Sequence, residues 1–379
     1  MTGRVMIYVQ HLLGLGHLYR AARIAAALAA EGLEVRLVSG GLRAPHLDIG
    51  GATLVQLSPA RALNAAFSAL ADAQGRPVDD AWRARRRSEL LAAFRAFDPA
   101  VLMVELFPFG RRQMGFELTP VLDLARARGV KVACSVRDIV QPKPHREAEI
   151  VDRIESHIDL VLVHGDPGLV RLEESFPAAA RFAAKIRYTG YVGVRAPDPG
   201  SDRAGVVVSA GGGAVGARLL GLAAEAAGLS AGRGPPWRLV LGPNLPAGAR
   251  AALADAPPPG VEPIPFQPDF AALLAGAELS ISQAGYNSVM DVLAAGCRAV
   301  LVPYAGGGEM EQTMRAERLA LRAGFRFVPE AALRPARLAA LAAAALAGPA
   351  PDAAGLDLGG AETTARLVRD LLRSPGSSP

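Results

Sequence analysis

Short apolar runs alternate along the chain with longer segments in which apolar residues recur at helical spacing. Val5–Val9 and Val101–Val104 are examples of the short runs, and Leu18–Glu31 is an example of the longer segments. Continuous short apolar runs are typical of strands buried on both faces, whereas the longer segments are typical of helices. Elements that alternate in this way form parallel sheets covered by helices, because parallel strands need crossover connections. The sequence therefore predicts an α/β fold.

The alternation runs through the chain twice, which bounds the number of domains. The chain has 379 residues, more than twice the roughly 150 residues of an ordinary domain. Residues 194–204 read VRAPDPGSDRA, and such a turn to Pro, Gly, Ser and Asp without apolar spacing is typical of a linker. We predict two Rossmann-like domains, 1–194 and 205–347. A last amphipathic helix, 361–372, is expected to pack back on the first domain.

The composition narrows the class of protein. Apolar residues make up 51% and charged residues 20% of the chain, as in ordinary globular proteins. The net charge of +5 is scattered except around Arg83–Arg87, without an aromatic-interleaved basic stripe, so nucleic acid is not an expected partner. Cys134 and Cys297 stand in apolar surroundings and are expected to be buried thiols, which suits a reducing compartment. With no signal-peptide pattern and no apolar window of about 18 residues, we expect a cytoplasmic protein.

A glycine-bearing turn follows the first predicted strand and precedes the first predicted helix. Gly14 and Gly16 would let a ligand approach the backbone closely, and the unpaired amides of the helix start favour anionic oxygens. His17 stands beside this turn. The positive end of a helix opposes protonation of an imidazole, so the neutral form, which can accept a proton, is favoured there. His17 is therefore a candidate base, and the alternative is that it only caps or packs against the turn.

A second glycine turn, formed by Gly211, Gly212 and Gly213, closes the first predicted strand of the second domain. A run of glycines alone is weak evidence, because many such runs are flexible connections. Its position nevertheless repeats that of the first turn, at the carboxyl edge of a parallel sheet, where ligands of open α/β sheets bind. We therefore predict that this turn faces an anionic ligand.

The third turn has the most specific sequence. It runs from Ser282 through Gly285 to Asn287 and Ser288, between a predicted strand and a predicted helix. Asn287 or Ser288 is expected to cap the helix and leave its amides facing the ligand. Asp291 lies one turn further on, where a carboxylate can accept hydrogen bonds from ribose hydroxyls. An acidic residue near a helix start is also common on dipole grounds alone.

The region 266–325 resembles the donor half of GT-B glycosyltransferases, nearest to the family 28 transferases that use UDP-GlcNAc in peptidoglycan lipid-intermediate synthesis. In that family a glycine turn and helix hold the diphosphate, an acidic residue binds the ribose, and two Gln residues contact the donor sugar. The resemblance places the base contact at Phe266 and Gln267, the diphosphate at the second and third turns, the ribose at Asp291, and the sugar at Glu311 and Gln312. Because Glu311 stands where the family has Gln, the resemblance leaves the donor sugar open.

The N-terminal turn resembles two families. The segment from Gly14 to Arg20, GLGHLYR, is similar to the N-terminal loop of the same transferases. Its G-x-G-H-x-x-R form is also similar to the UDP-sugar hydrolases of the pseudaminic acid pathway, which attack the sugar with water through the His of the motif. The segment 104–112, VELFPFGRR, is similar to a group of predicted bacterial glycosyltransferases. The resemblance implies a GT-B architecture, in which two Rossmann-like domains face each other across a cleft.

The expected activity is transfer of a sugar from a nucleotide diphosphate donor, UDP-linked, with inversion at the sugar. No D-x-D motif is evident, so we expect neither a metal nor another cofactor, and the turn amides would stabilise the leaving diphosphate. His17 is the first candidate for the base that takes the acceptor's proton, and Asp138 is the second. Asp138 can equally form a structural ion pair with Arg137. The alternative functions are a nucleotide-sugar hydrolase and a non-catalytic nucleotide-sugar binding protein.

Charged residues of the first domain are assigned to the acceptor side. Glu105, Arg111 and Arg137 follow predicted strands, and arginines there suit an anionic acceptor such as a phosphate or carboxylate. Surface solvation of these residues is the alternative. The acceptor itself is unidentified. A lipid-linked acceptor would bring the helix with Trp82 and Arg83–Arg87 to an anionic membrane as a peripheral contact, whereas a solvated basic face would explain the same residues.

Overall fold

The structure, a computed structural model, divides into two compact units. The first unit comprises the residues up to Val192 together with those from Gly359 onward, and the second unit comprises Gly193–Leu358. The predicted linker 194–204 falls largely outside the described residues. The residues that the structure describes are 3–44, 47–63, 69–194, 202–211, 216–230, 235–267 and 269–373.

A seven-stranded parallel sheet forms the centre of the first unit, in the order β3-β2-β1-β6-β7-β8-β9, and β4 and β5 form a small antiparallel hairpin beside it. The strands are β1 (Arg4–Val9), β2 (Glu34–Ser39), β3 (Thr53–Gln56), β4 (Arg61–Ala62), β5 (Leu70–Ala71), β6 (Val101–Glu105), β7 (Lys131–Arg137), β8 (Leu160–His164) and β9 (Ile186–Tyr188). The helices are α1 (Gly16–Ala30), α2 (Asp80–Phe97), α3 (Gly115–Ala127), α4 (Glu147–His157) and α5 (Leu172–Ser175), with 3-10 turns at Arg112–Met114, Pro144–Arg146 and Pro177–Lys185.

Both faces of this sheet are covered, which explains why its central strands are continuously apolar. Ile7 of β1 enters the core formed with α1 and the C-terminal helix Gly360–Arg373, whereas Met6 enters the core formed with α2, α3 and α4. The C-terminal helix contributes Ala365 and Val368 to the first of these cores, which accounts for its place in the first unit. Alternation of neighbouring residues between two apolar layers is what a buried parallel strand requires.

The predicted basic face of α2 is only partly available to solvent. Trp82 is 8% exposed and Arg86 is fully buried, so both side chains belong to the interior of the first unit. Arg86 forms an ion pair with Glu117 of α3, with 3.0 Å between Nε and Oε2. Trp82 and Arg86 therefore lie on the side of α2 that packs against the core, and not on a face that could contact a membrane or solvent.

The second unit has a six-stranded parallel sheet in the order β12-β11-β10-β13-β14-β15. Its strands are β10 (Val206–Ser209), β11 (Trp237–Leu241), β12 (Val261–Pro265), β13 (Leu279–Ser282), β14 (Arg298–Leu301) and β15 (Phe325–Phe327). Its helices are α6 (Ala217–Leu229), α7 (Ala247–Ala254), α8 (Phe270–Ala275), α9 (Tyr286–Ala295), α10 (Glu311–Leu319) and α11 (Pro335–Leu346), with 3-10 turns at Gly306–Gly308 and Glu330–Ala332. The predicted α/β class with two parallel sheets is confirmed.

Strand order reverses once in each sheet. In the first unit β1 lies between β2 and β6, and in the second unit β10 lies between β11 and β13. Ligands of open α/β sheets bind at the carboxyl ends of the strands that flank such a reversal, because the connecting loops diverge there. The turns after β1 and β6 in the first unit, and after β10 and β13 in the second, are therefore the places where functional side chains are expected.

Candidate active site

His17 and Glu105 meet at the reversal point of the first sheet. His17 is the second residue of α1, and Glu105 is the last residue of β6, the strand beside β1. The distance from His17 Nδ1 to Glu105 Oε1 is 2.9 Å. The His17 side chain is 15% exposed and that of Glu105 is 1% exposed. The imidazole of His17 is thus partly open to solvent, whereas its carboxylate partner is buried.

Two further side chains hold the Glu105 carboxylate. The guanidinium of Arg20, one helical turn after His17, donates to Oε1, and the hydroxyl of Ser135 on β7 donates to Oε2 at 2.5 Å. Burial would raise the pKa of Glu105, but the Arg20 charge and the hydrogen bond from His17 hold that pKa well below its usual range. Glu105 is therefore a carboxylate at neutral pH.

His17 is neutral at neutral pH. Burial and the nearby Arg111 charge lower the pKa of His17 well below 6.5, although the hydrogen bond to Glu105 favours the charged form. The direction agrees with the expectation drawn from the helix start. A neutral imidazole that donates Nδ1–H to a carboxylate keeps a lone pair on Nε2. His17 can therefore accept a proton, and Glu105 can stabilise the imidazolium that forms.

The hydrogen-bond chain continues beyond Ser135. His164, at the end of β8, lies with Nε2 at 2.9 Å from Ser135 Oγ and Nδ1 at 2.9 Å from Thr189 Oγ1. Burial and the Arg20 charge lower the pKa of His164 to about 3. Sequence reasoning did not select Ser135, His164 or Thr189. The sequence feature that could have pointed to His164 is that it is the one polar residue at the end of the otherwise apolar strand β8, LVLVH.

Arg111 and Arg137 give this end of the first unit an excess of positive charge. Arg111 Nε donates to the Gln10 carbonyl at 2.6 Å, and burial together with the Arg137 charge lowers the pKa of Arg111 to about 10. Both arginines depress the pKa of His17, as charges close to it do. Arg112, by contrast, is exposed. The charges of Arg111 and Arg137 close to His17 therefore favour an anionic ligand there.

Asp138, the second candidate base, is fully buried after β7. Its Oδ1 accepts a hydrogen bond from the amide of Ile139 at 3.0 Å. The side chain packs against Gly165, where an added Cβ would lie 2.6 Å from the Cβ of Asp138. Since His17 is partly exposed and Asp138 is not, His17 is the better placed of the two to reach a substrate.

The second and third glycine turns lie side by side in the second unit. Gly211 follows β10 with a positive φ of 63°, and its amide donates to Ser209 Oγ at 3.1 Å. A Cβ added at Gly211 would lie 3.9 Å from Ser288 Oγ, so the turn after β10 contacts the start of α9. Gly212 and Gly213 lie outside the described residues.

The start of α9 differs from the prediction. The helix begins at Tyr286 with Gly285 as its N-cap residue, and within the described chain no side chain caps it. Asn287 and Ser288 therefore lie in the first helical turn and are not caps, because the extended backbone of Gly285 brings the helix start forward. Asp291 lies half-buried one turn after Asn287. A helix start that follows a strand end and a glycine is a typical place for an anion to bind.

Arg315 braces this turn from α10. Its guanidinium pairs with Glu311 at 2.8 Å and donates to the Ala284 carbonyl at 2.8 Å. Gln312, the next residue, accepts a hydrogen bond from the amide of Tyr304 at 3.1 Å. Glu311 is thus engaged in a buried ion pair with Arg315, and Gln312 is engaged with the backbone after β14.

Phe266 and Gln267 follow β12. Phe266 is 41% exposed, and Gln267 Nε2 donates to the Pro265 carbonyl at 3.1 Å. The exposed Phe266 ring leaves this loop open to a ligand. Within the described ranges no group of three or more His, Cys, Asp or Glu side chains is placed to hold a metal ion. No helix in the described part of the chain is both long enough and apolar enough to span a membrane.

Comparison with known proteins connects the second unit to a family. Residues 211–351 match the glycosyltransferase family 28 C-terminal domain. A relative from Mesorhizobium japonicum, named UDP-N-acetylglucosamine--N-acetylmuramyl-(pentapeptide) pyrophosphoryl-undecaprenol N-acetylglucosamine transferase, is 37% identical over 120 residues, which cover 31% of this chain and 32% of the relative. The chain thus spans about a third of the length of the curated relatives it matches.

Solved structures resemble the whole chain. The calicheamicin glycosyltransferase CalG4 superposes with a TM-score of 0.62 at 17% identity, covering 99% of this chain and 96% of that one. MurG of Acinetobacter baumannii superposes with a TM-score of 0.60 at 16% identity, covering 98% and 99%. Similarity at this level of identity shows the fold alone. The chain has the GT-B fold of these glycosyltransferases, and its residues 211–351 match the C-terminal domain of glycosyltransferase family 28.

Proposed function

We propose that the chain is a glycosyltransferase that moves a sugar from a nucleotide diphosphate donor, UDP-linked, to a hydroxyl of an acceptor. The observation that carries this proposal is the His17–Glu105 pair, with 2.9 Å between Nδ1 and Oε1, in a chain that also has a family 28 C-terminal domain. The pair supports the presence of a base. The names of the relatives, which include UDP-N-acetylglucosamine, support a UDP-linked donor.

In the proposed reaction Nε2 of His17 removes the proton from the acceptor hydroxyl. The hydroxyl oxygen forms a bond to the anomeric carbon of the sugar as the bond from that carbon to the diphosphate breaks, and the configuration inverts. The diphosphate leaves with the bonding electron pair. Glu105, already held as a carboxylate by Arg20, orients His17 and stabilises the imidazolium. Such a proton transfer contributes about a hundred- to ten-thousandfold to the rate.

The donor is assigned to the second unit. The positive end of α9 and the turn at Gly211 would receive the diphosphate and stabilise its charge without a metal. Gly14 and Gly16 are kept as proposed donor contacts from the sequence pattern. The remaining donor contacts proposed are Ser282, Gly285, Asn287, Ser288 and Asp291 for the phosphate and ribose, Phe266 and Gln267 for the base, Glu311 and Gln312 for the sugar, and the unplaced Gly212 and Gly213 for the phosphate.

The acceptor is proposed to be anionic. Arg111 and Arg137 add positive charge beside His17, and a phosphate or carboxylate near the reacting hydroxyl would neutralise it. Pyrophosphoryl-undecaprenol in the names of the relatives makes a lipid-linked phosphate the first class to test. Membrane contact through α2 would have to use the outward Arg83, Arg85 and Arg87. Free, buried Cys134 and Cys297 suit the cytoplasm.

The test is to incubate the purified chain with UDP-, dTDP- and GDP-linked sugars and to read the products by mass, with and without a lipid extract as acceptor source. The proposal predicts a new glycosylated product, and nucleotide diphosphate release that depends on the extract. Rapid release with water alone would instead support the hydrolase, which the G-x-G-H-x-x-R motif favours as second candidate. Tight nucleotide binding without turnover of any donor would support a binding protein.

A further inference from the structure

The carboxylate of Glu105 lies between two imidazoles, that of the partly exposed His17 and that of the fully buried His164. His17 Nδ1 approaches Oε1 at 2.9 Å, and Ser135 Oγ, which approaches Oε2 at 2.5 Å, lies 2.9 Å from His164 Nε2. Ser135 and His164 are 1% and 0% exposed, so neither exchanges these contacts with solvent. The proposed function uses the first imidazole and leaves the second without a role.

The number of protons available to Glu105, Ser135 and His164 fixes the direction of the hydrogen bonds between them. A carboxylate only accepts, so Ser135 must give its single proton to Glu105. Ser135 Oγ can then only accept from His164, which places a proton on Nε2 of that ring. Because the pKa of His164 is lowered to about 3, the ring is neutral and has no proton left for Nδ1. His164 Nδ1 therefore accepts from the hydroxyl of Thr189, 2.9 Å away.

The opposite direction of the hydrogen bonds would follow if Thr189 did not donate to His164. Its hydroxyl also lies 2.7 Å from the Gly190 carbonyl, and donation there would require His164 to donate from Nδ1. The Nε2 lone pair would then face the lone pairs of Ser135, whose own proton is donated to Glu105 in a hydrogen bond. That arrangement places two lone pairs against each other, whereas a series of donors that ends on the Glu105 charge is strengthened because its hydrogen bonds polarise one another.

We propose that Ser135 and His164 are positioning residues for the His17–Glu105 pair, arranged as a one-way chain of donors from Thr189 through His164 and Ser135 to Glu105. This inference rests on the proposed function only where it assigns His17 as the base. The chain holds Oε2 so that Oε1 faces His17, and it puts the two imidazoles in opposite tautomers. His17 carries its proton on Nδ1 and His164 on Nε2.

The tautomers are read by nitrogen-15 NMR of the histidine-labelled protein at neutral pH. The expected spectrum shows His17 protonated at Nδ1 and His164 protonated at Nε2, with resonances assigned by His17→Gln and His164→Gln. His164 protonated at Nδ1 overturns the inference, whether or not the protein transfers a sugar.

Kinetics supply the second readout. Gln places its amide nitrogen near the position of the histidine Nε2, so His164→Gln retains a donor to Ser135. His164→Leu and Ser135→Ala each interrupt the series of hydrogen bonds. The two breaking variants are expected to lower kcat by about 10- to 100-fold with the donor KM changed less than about twofold, and His164→Gln to stay within about threefold of the wild type.

Each outcome decides a different claim. Wild-type kcat in His164→Leu, with the fold retained by circular dichroism, overturns the positioning role. Equal losses in His164→Leu and His164→Gln also overturn it, because a merely structural role does not distinguish a donor from an apolar side chain. A wild-type protein that turns over no donor overturns the proposed function, while the His164 tautomer still decides the direction of the chain.

Discussion

Glu311 and Arg315 form a buried ion pair on one face of α10, with 2.8 Å between Oε1 and Nη2. Arg315 also donates to the Ala284 carbonyl, in the turn that precedes α9. The ion pair thus ties the helix that carries Glu311 and Gln312 to the turn proposed to receive the diphosphate. A planar guanidinium can donate to the Glu311 carboxylate and the Ala284 carbonyl at the same time. A lysine ammonium lacks this fixed two-pronged geometry.

Arg315→Lys is therefore expected to weaken UDP binding. The lysine keeps the charge beside Glu311 but loses the fork that fixes the Ala284 carbonyl, so the Kd for UDP should rise about tenfold, as loss of one hydrogen bond involving a charged group does. Isothermal titration calorimetry measures the change. Arg318→Lys, at an exposed position of the same helix, is the matched control and should bind as the wild type does. Unchanged binding in Arg315→Lys would contradict the bracing role.

Asp291→Asn tests the assignment of the ribose. If the carboxylate accepts from ribose hydroxyls, the variant should bind UDP about tenfold more weakly, because one charged acceptor is lost. The same substitution should change binding of 2′-deoxy-UDP much less, since that ligand lacks one of the hydroxyls. A double-mutant comparison of the four Kd values isolates the contact. Equal losses for both nucleotides would show that Asp291 does not contact the 2′-hydroxyl.

Activity should be nearly flat across neutral pH and fall at both ends. His17 must be neutral to act as a base, and its pKa is lowered well below 6.5, so kcat should be retained as the pH falls to that value and be lost only below it. Arg111 binds an anionic acceptor only when charged, and its pKa is lowered to about 10, so the acceptor KM should rise above that pH.

Initial rates against pH, with donor and acceptor varied separately, check these two limbs. Arg111→Gln is the control for the alkaline limb, since its acceptor KM should be high at every pH and lose the dependence near pH 10. A kcat that declines as the pH falls from neutrality towards 6.5 would contradict a lowered pKa for the base.

Arg86→Met should destabilise the first unit strongly. Arg86 and Glu117 are both fully buried and paired, and removing Arg86 leaves Glu117 buried without its partner, which costs about 3–5 kcal/mol in free energy of unfolding at a pH above about 7, the value to which burial raises the pKa of Glu117. Arg87, the exposed next residue of α2, provides the matched control, and Arg87→Met should change the free energy by no more than about 0.5 kcal/mol. Chemical denaturation followed by circular dichroism compares the two. Similar stability of both variants would show that the ion pair contributes little.

The alternation of apolar runs sufficed to predict both parallel sheets, because strands buried on two faces have continuous apolar sequences. It did not predict the hairpin of β4 and β5 or the strand β15, which are too short to show a period. The predicted run Val101–Val104 extends to Glu105 in the structure, since Glu105 pairs with Ser135 of β7. Register between strands, which no local pattern encodes, decides that extension.

The same limit applies to the site. His17 and Glu105 were both placed at the carboxyl edge from the sequence, yet their contact spans 88 residues and follows only from the neighbouring positions of β1 and β6. Ser135 and His164 were not selected, because a single polar residue at the end of an apolar strand is common. The capping role expected of Asn287 and Ser288 was wrong because Gly285 starts α9 earlier.

The central claim is that His17 removes a proton from an acceptor during sugar transfer. The most direct measurement compares acceptor-dependent release of UDP from a UDP-sugar by the wild type and by His17→Ala, with His157→Ala as the control at a histidine outside the site. The account predicts a loss of about a hundredfold or more in kcat for His17→Ala, with UDP binding retained and the control unchanged. Wild-type kcat in His17→Ala would contradict the account.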